Sequence, residues 1–261
     1  MPAIVTDQGV VHYEVYGQGK PVILLHGWLG SWRLWQSTME ALAPNYRLYA
    51  IDFWGFGESG KRRENFTVDD FVSLVEQFMA RLGIAQAPLV GHSMGGTVSL
   101  AAALKNPDRI SKVVIIGSPI KGSSLAIPLQ LAAIPGIARL LFWQMGLFTN
   151  ALNLAAGFMC AQPGFAQLLT SDMNQTTLRS FFTSISSLKQ VDLSSQIASL
   201  KMPVMGMFGG RDNIVSPRQA KLLQQALPSS RLAWYPAARH FVMLDEGSAF
   251  IADLKNFLEN G

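Results

Sequence analysis

The stretch of sequence that decides the fold is Gly91-His92-Ser93-Met94-Gly95-Gly96, which joins a predicted buried strand to a predicted helix. The strand is the apolar run Ala87-Pro88-Leu89-Val90, and the helix runs from Gly96 to Lys105 through small residues. A serine at the centre of Gly-x-Ser-x-Gly between such elements predicts a nucleophile elbow. The glycines let the chain reverse sharply, so we expect the Ser93 hydroxyl to stand at the carboxyl end of a sheet.

A base that activates Ser93 has to come from only four histidines. His12 lies in an alternating strand and is predicted to be half-exposed, whereas His26 follows a strand and is predicted to brace a loop. His92 directly precedes Ser93, and we expect its side chain to point away from the nucleophile. His240 remains, in a loop after a short predicted strand, and is therefore the predicted base.

The acid of the site is predicted to precede His240, in the order serine, acid, histidine. Asp212 follows a predicted strand over 203–210 and lies 28 residues before His240. Its carboxylate would accept the Nδ1 proton of His240 and stabilise the imidazolium formed in the reaction. Asp245, five residues after His240, is the alternative, but it is too close in sequence to reach back behind the ring. Asp212 is the predicted acid.

Two backbone amides are predicted to form an oxyanion hole, because acyl transfer places charge on the former carbonyl oxygen. One is the amide of Met94, which follows the nucleophile. The other is assigned to Trp28, with Leu29 as the alternative, in a loop that Gly27 and Gly30 free to turn inward. The Trp28 side chain is predicted to form a wall of the substrate pocket.

Four motifs together resemble the α/β-hydrolase superfamily, and the resemblance covers essentially the whole chain. They are, in order, His26-Gly27 with Gly30, the run Asp52-Phe53-Trp54-Gly55-Phe56-Gly57-Glu58-Ser59, the elbow at Ser93, and Gly209-Gly210-Arg211-Asp212 with His240. In that family the run beginning at Asp52 is a structural turn, so Asp52 is not a predicted catalytic acid. Among its members, the chain is similar to small single-domain bacterial esterases such as the pimeloyl-carrier-protein methyl ester esterases.

The resemblance implies an α/β fold with a mostly parallel eight-stranded sheet, helices on both faces and a helical cap inserted after a central strand. The core would comprise residues 1–118 and 191–261, and the cap 119–190. In this segment the strand–helix alternation stops, and apolar residues are punctuated by proline and glycine. Phe142 and Trp143 of the cap, and Phe241 beside His240, are predicted to bind substrate together with Trp28.

The apolar composition of the cap could indicate either a membrane-spanning helix or an exposed apolar surface. The apolar stretch 125–148 contains Gln130, Arg139 and Gln144 as well as two prolines and two glycines, which argues against an integral span. An exposed apolar cap surface would instead mark a hydrophobic substrate or a membrane face. The cap contributes a net charge of +3, either as scattered solvated cations or as a rim that steers an apolar substrate with an anionic handle.

Composition excludes several classes of protein. With 261 residues, 49% hydrophobic and 15% charged, the chain is predicted to be globular. Its net charge of +4 and the lack of basic runs interleaved with aromatic residues argue against nucleic-acid binding. No metal-ligand spacing or dinucleotide motif is present, so no metal or cofactor is expected. One cysteine, Cys160, and an N-terminus without a signal-peptide pattern favour the cytoplasm.

The predicted function is a serine hydrolase that cleaves a carboxylic ester or thioester with an apolar acyl group, free or carrier-bound, through an acyl-enzyme. Three alternatives stay open at this point. A carbon–carbon bond hydrolase shares the elbow but usually carries Gly-Pro where Leu29-Gly30 stand. A perhydrolase uses the same triad. A ligand-binding receptor that kept the fold would not need Ser93, Asp212 and His240 together.

Overall fold

The chain folds around one sheet of eight strands. The structure is a computed structural model that describes residues 2–6, 9–62 and 65–261. At positions 145, 148, 149 and 152 it describes the backbone only. The strands are β1 (Ala3–Thr6), β2 (Gly9–Tyr16), β3 (Lys20–Leu25), β4 (Tyr46–Ile51), β5 (Ala87–His92), β6 (Ile110–Ile116), β7 (Val204–Gly209) and β8 (Arg231–Tyr235). Their order is β1-β2-β4-β3-β5-β6-β7-β8. Only the pairs made by β2 are antiparallel in this order, which confirms the predicted mostly parallel sheet.

Helices cover both faces of the sheet. Those of the described chain are α1 (Gln36–Leu42), α2 (Val68–Arg81), α3 (Met94–Lys105), α4 (Ile127–Ala132), α5 (Pro135–Trp143), α6 (Met145–Met159), α7 (Phe165–Met173), α8 (Leu178–Gln190), α9 (Gln219–Ala226), α10 (Val242–Asp245) and α11 (Gly247–Asn260). Met39 of α1 and Phe250 of α11 belong to one buried cluster. Phe71 of α2 and Val98 of α3 belong to the other. The prediction of helices on both faces is therefore confirmed.

Local sequence explains where two of these helices begin. The Thr67 side chain accepts a hydrogen bond from the Asp70 amide, and the Asp70 carboxylate accepts one from the Thr67 amide, which forms a capping box before α2. Helix α3 begins at Met94, two residues before the predicted start at Gly96, because the helix follows directly on the sharp turn at Ser93.

A helical insertion separates β6 from β7. Its two ends run side by side, because the Gly122 amide donates to the Val191 carbonyl at 2.8 Å and the Leu193 amide donates to the Ile120 carbonyl at 3.0 Å. The helices α4 to α8 lie between these contacts in sequence. Within the described ranges, no helix is both long and apolar enough to cross a bilayer. The insertion therefore returns the chain to the sheet next to the point where it left.

Candidate active site

The turn between β5 and α3 holds Ser93 in a strained backbone conformation, with φ 52° and ψ −118°. Positive φ is costly for a residue with a side chain and persists only where the surroundings impose it. Here the surroundings are tight, since a Cβ on Gly95 would collide with the carbonyl oxygen of Leu25, and one on Gly91 with that of Gly95. Glycine at both positions lets the strand, the turn and the helix approach closely enough to form the elbow.

His240 and Asp212 are joined by a hydrogen bond of 2.8 Å between Nδ1 and Oδ2. The other carboxylate oxygen of Asp212 accepts hydrogen bonds from the amides of Ile214 and Val215 at 2.8 and 2.9 Å. Because these partners hold the carboxylate as an acceptor, Nδ1 of His240 donates the hydrogen bond to Asp212. A carboxylate bound to Nδ1 in this way orients a histidine so that Nε2 can act as a general base.

Two loops at the carboxyl end of the sheet bring His240 and Asp212 together. The Arg211 amide donates to the Ala238 carbonyl at 2.9 Å, and the Gly210 amide donates to the Tyr235 carbonyl at 2.8 Å. A Cβ on Gly209 would collide with the carbonyl oxygen of Arg239, so the glycine permits this close contact. Backbone hydrogen bonds thus set the distance between the acid and the histidine.

Ser93 and His240 line one cavity of about 470 Å³ under the inserted helices. Its other lining residues are Trp28, Leu29, His92, Ala126, Pro128, Leu129, Leu131, Ala132, Ile137, Leu141, Ala155, Phe158, Met159, Leu169, Asn213, Ile214 and Phe241. Aliphatic and aromatic side chains dominate the wall, and its hydroxyl, amide and imidazole groups come from Ser93, Asn213, His92 and His240. Such a cavity suits an apolar ligand whose reactive end reaches the serine.

The loop over residues 27–31, here called the 27–31 loop, lies beside Ser93 and is held in place by His26. The Nε2 atom of His26 accepts a hydrogen bond from the Phe53 amide at 3.0 Å, and Nδ1 donates to the Gly27 carbonyl at 2.7 Å. Burial lowers the pKa of His26, so the ring stays neutral. The prediction that His26 braces a loop is confirmed. Leu29 in this loop has φ 58°, a second strained position.

Two histidines differ from their predicted roles. His92 lines the cavity with Ser93 instead of pointing away from it, and its Nε2 donates to the carbonyl of His240 at 3.1 Å. Burial lowers the pKa of His92 well below its ordinary value, so the ring supports the His240 loop as a neutral donor. His12 is buried rather than half-exposed, because its Nδ1 pairs with the Asp52 carboxylate at 2.8 Å.

Of the four residues predicted to bind substrate, Trp28 and Phe241 line the cavity and two others do not. Phe142 and Trp143 line a separate surface groove, and Trp143 is 78% exposed. The helical period explains the difference, because Ile137 and Leu141 share the face of α5 that meets the cavity. The residues immediately after Leu141 therefore turn away from Ser93.

Asp245, the alternative acid, bonds elsewhere. One carboxylate oxygen accepts a hydrogen bond from the Ala161 amide at 2.6 Å, and the other accepts one from the Arg239 amide at 2.7 Å. Asp245 therefore links the loop before His240 to the end of α6. The structure brings Asp212, and not Asp245, to the Nδ1 atom of His240.

The four basic side chains of the insertion differ in their bonding partners and in their exposure to solvent. Lys121 pairs with Asp192 at 3.2 Å, and Lys189 donates to the Gln130 carbonyl at 3.2 Å. Arg139 and Arg179 are exposed, and neither forms an ion pair within the described part of the chain. Of the four cations, only Lys121 is paired with a carboxylate among the described residues, and Lys189 keeps its charge beside a neutral carbonyl.

Comparison with known proteins adds independent observations. Residues 20–247 match the family model described as the alpha/beta hydrolase fold. A relative from Aliivibrio fischeri, named pimeloyl-[acyl-carrier protein] methyl ester esterase, is 26% identical over 95% of this chain and 97% of its own length. A protein of the same name from Aeromonas hydrophila is 27% identical over 95% and 99%.

Solved structures agree in fold. The enol-lactonase from Burkholderia xenovorans superposes with a TM-score of 0.87 and 21% identity, covering 99% of this chain and 100% of that one. At this level of identity the similarity concerns the backbone architecture alone.

Proposed function

Because this chain belongs to the α/β hydrolase family, we propose that it hydrolyses carboxylic esters through an acyl-enzyme on Ser93. His240 acts as the general base, and Asp212 orients and stabilises it. One observation carries the proposal. The strained Ser93 opens into the same apolar cavity as His240, whose Nδ1 donates to Asp212 at 2.8 Å.

The first half of the reaction forms the acyl-enzyme. The Ser93 hydroxyl attacks the ester carbonyl while Nε2 of His240 takes its proton, and Asp212 stabilises the resulting imidazolium. The carbonyl oxygen becomes an oxyanion, for which the amides of Met94 and Trp28 are the proposed donors, with Leu29 as the alternative to Trp28. His240 then returns the proton to the departing alcohol as the carbon–oxygen bond breaks.

The second half of the reaction releases the acid. A water molecule enters where the alcohol left and loses a proton to Nε2 of His240 as its oxygen attacks the acyl carbonyl. Collapse of this second intermediate breaks the bond to Ser93, and His240 restores the proton to the serine oxygen. The chemistry needs a base, an oriented acid and two amide donors, and requires no metal or cofactor.

The substrate is proposed to be an ester or thioester with an apolar acyl group. Trp28 and Phe241 wall the cavity near Ser93, and α4, α5 and α6 roof it with aliphatic side chains, so residues 119–190 act as a cap. The names of the relatives support a methyl ester on an acyl chain, free or attached to a carrier protein. A cytoplasmic location belongs to the same proposal, supported by the single cysteine, Cys160.

Ester hydrolysis is favoured over the alternatives. The relatives described above are named esterases, which supports neither carbon–carbon bond cleavage nor perhydrolysis. A receptor would need only the cavity, whereas here Asp212 has both oxygens engaged in orienting His240 and its loop.

A fluorophosphonate probe tests the nucleophile. We expect single labelling of the protein, complete loss of labelling in Ser93→Ala, and unchanged labelling in the control Ser123→Ala, whose serine is exposed and outside the cavity. The same variants are assayed on p-nitrophenyl esters from acetate to palmitate. Labelling that survives in Ser93→Ala would refute the proposed nucleophile.

A further inference from the structure

Helices α4, α5 and α6 present an apolar face to solvent. Its exposed large side chains are Ile127, Leu131, Ile134, Leu140, Trp143, Leu147, Leu154 and Phe158. On α6 the spacing of Leu147, Leu154 and Phe158 places them along one side of the helix, and Leu154 is 85% exposed. So many large apolar side chains exposed on three consecutive helices are unusual for a protein surface that meets only water.

The helices that carry this apolar face contain no acidic residue and one basic residue. Residues 109–171 contain no aspartate or glutamate, and Arg139 is the one charged residue between positions 127 and 159. Arg139 and Trp143 line the same surface groove of about 540 Å³. Arginine and tryptophan beside aliphatic side chains are the combination that fits the level of lipid headgroups.

The cavity under the inserted helices shares part of its wall with the apolar face. Leu131 and Phe158 line the cavity, and both are also exposed members of the face. An apolar ester that entered between them from a lipid phase would never have to expose its acyl chain to water.

We propose that the apolar face docks on the surface of a phospholipid bilayer with anionic headgroups, from which the enzyme takes apolar esters. The inference about substrate delivery rests on the proposed function, whereas the docking itself does not. Arg139 would bind a headgroup phosphate, and the face would reach only the outer acyl region, since no described helix is long and apolar enough to span.

Two other occupants fit less well. A second copy of this chain seated on the face would cover Leu131 and Phe158, the two side chains that the face shares with the cavity. An acidic carrier protein would need several exposed cations, whereas α4 to α6 supply Arg139 alone. A bilayer accounts for the extent of apolar exposure and for the two side chains that the face shares with the cavity.

Vesicle binding tests the proposal, with phosphatidylcholine vesicles prepared with and without phosphatidylglycerol. The double variant Leu147→Ser/Leu154→Ser should bind at least about tenfold more weakly, because two apolar side chains no longer enter the bilayer. The matched control Val5→Ser/Val10→Ser, which changes two exposed valines of β1 and β2, should bind as the unchanged protein does. Arg139→Gln should lose roughly fivefold on the anionic vesicles only.

A second measurement does not depend on the folding of the double variant. Brominated lipids should quench the tryptophan fluorescence of the otherwise unchanged protein, and Trp143→Phe should remove most of this quenching while still binding vesicles. Equal quenching in both proteins would overturn the proposed orientation.

Three further results would overturn the proposal. They are the absence of vesicle binding by the unchanged protein, equal loss in the two double variants, and a dimer that Leu147→Ser/Leu154→Ser dissociates, which would assign the face to a second copy. Two measurements distinguish failure of the docking proposal from failure of the proposed hydrolase function. Ser93→Ala should bind vesicles normally, and the double variant should still hydrolyse water-soluble p-nitrophenyl acetate at the unchanged rate.

Discussion

The carboxyl group of Asp172 on α7 accepts a hydrogen bond of 2.8 Å from the Ser31 hydroxyl in the 27–31 loop. Asp172 is only 3% exposed, and burial raises its pKa to about 7, although the hydrogen bond from Ser31 lowers it. The inserted helices and the loop of the proposed oxyanion donors are thus joined by a group that titrates near neutral pH. It is also the only acidic residue between positions 119 and 190.

Replacing this carboxyl should change how stability depends on pH. Asp172 binds its proton more tightly in the folded chain, with a pKa of about 7, than its ordinary value of 3.8. The folded state therefore loses stability as pH rises from about 4 to about 7, by up to about 4 kcal/mol. Asp172→Asn, which has no charge to bury, should have a higher Tm than the unchanged protein at pH 8, with the difference shrinking towards pH 5.

The control for this experiment is Asp108→Asn, at an exposed carboxyl. It should leave the pH dependence of Tm as it is in the unchanged protein. If Asp172→Asn lowered Tm equally at both pH values, the side chain would contribute through its hydrogen bond alone, and the titration would play no part.

Substitutions of Asp212 and Asp245 should have very different effects on kcat. Asp212→Asn is expected to lower kcat by about 10³–10⁴-fold, because His240 would lose the partner that fixes its tautomer. Asp245→Asn should cost on the order of 1 kcal/mol of unfolding free energy, through its bonds to the Ala161 and Arg239 amides, and change kcat only a few-fold. Steady-state kinetics with chemical denaturation measures both, and a reversed pattern would make Asp245 the acid.

Gly95 should tolerate no side chain. A Cβ there would meet the carbonyl oxygen of Leu25, which is backbone and cannot move aside, so Gly95→Ala should cost roughly 2–3 kcal/mol. Gly157→Ala on α6 is the matched control, since a Cβ there has nothing within 4 Å and alanine favours a helix. Urea denaturation compares the two, and equal midpoints would show that the elbow is looser than its geometry indicates.

The length of acyl chain accepted should follow the volume of the cavity. Ala155 lines the cavity from α6, so Ala155→Leu should shorten the preferred p-nitrophenyl ester, since each methylene excluded costs about 0.8 kcal/mol of binding. Ala151→Leu, one helical turn earlier at an exposed position, should leave the preference unchanged. A shift in neither variant would mean that the acyl group binds elsewhere.

Local sequence determined the elements that depend on neighbouring residues. The apolar run before Gly91 and the small residues after Ser93 predicted a strand, a turn and a helix, and the structure has all three. The capping residue Thr67 likewise set the start of α2. Both depend on backbone sterics and hydrogen bonds within a few residues, which the order of amino acids specifies directly.

Tertiary packing decided the rest. The hydrogen bond from His92 to the His240 carbonyl spans 148 positions, and no local pattern distinguishes it from a side chain that points away. Whether Leu141 or Phe142 faces the cavity depends on how α5 rotates against its neighbours, because both are large apolar residues and the sequence of α5 does not rank them. The sequence alone determined the elements around Ser93 and supplied the residues for the proposed chemistry. Only the assembled fold decided which of those residues meet, because contacts between distant segments depend on how whole helices and loops pack.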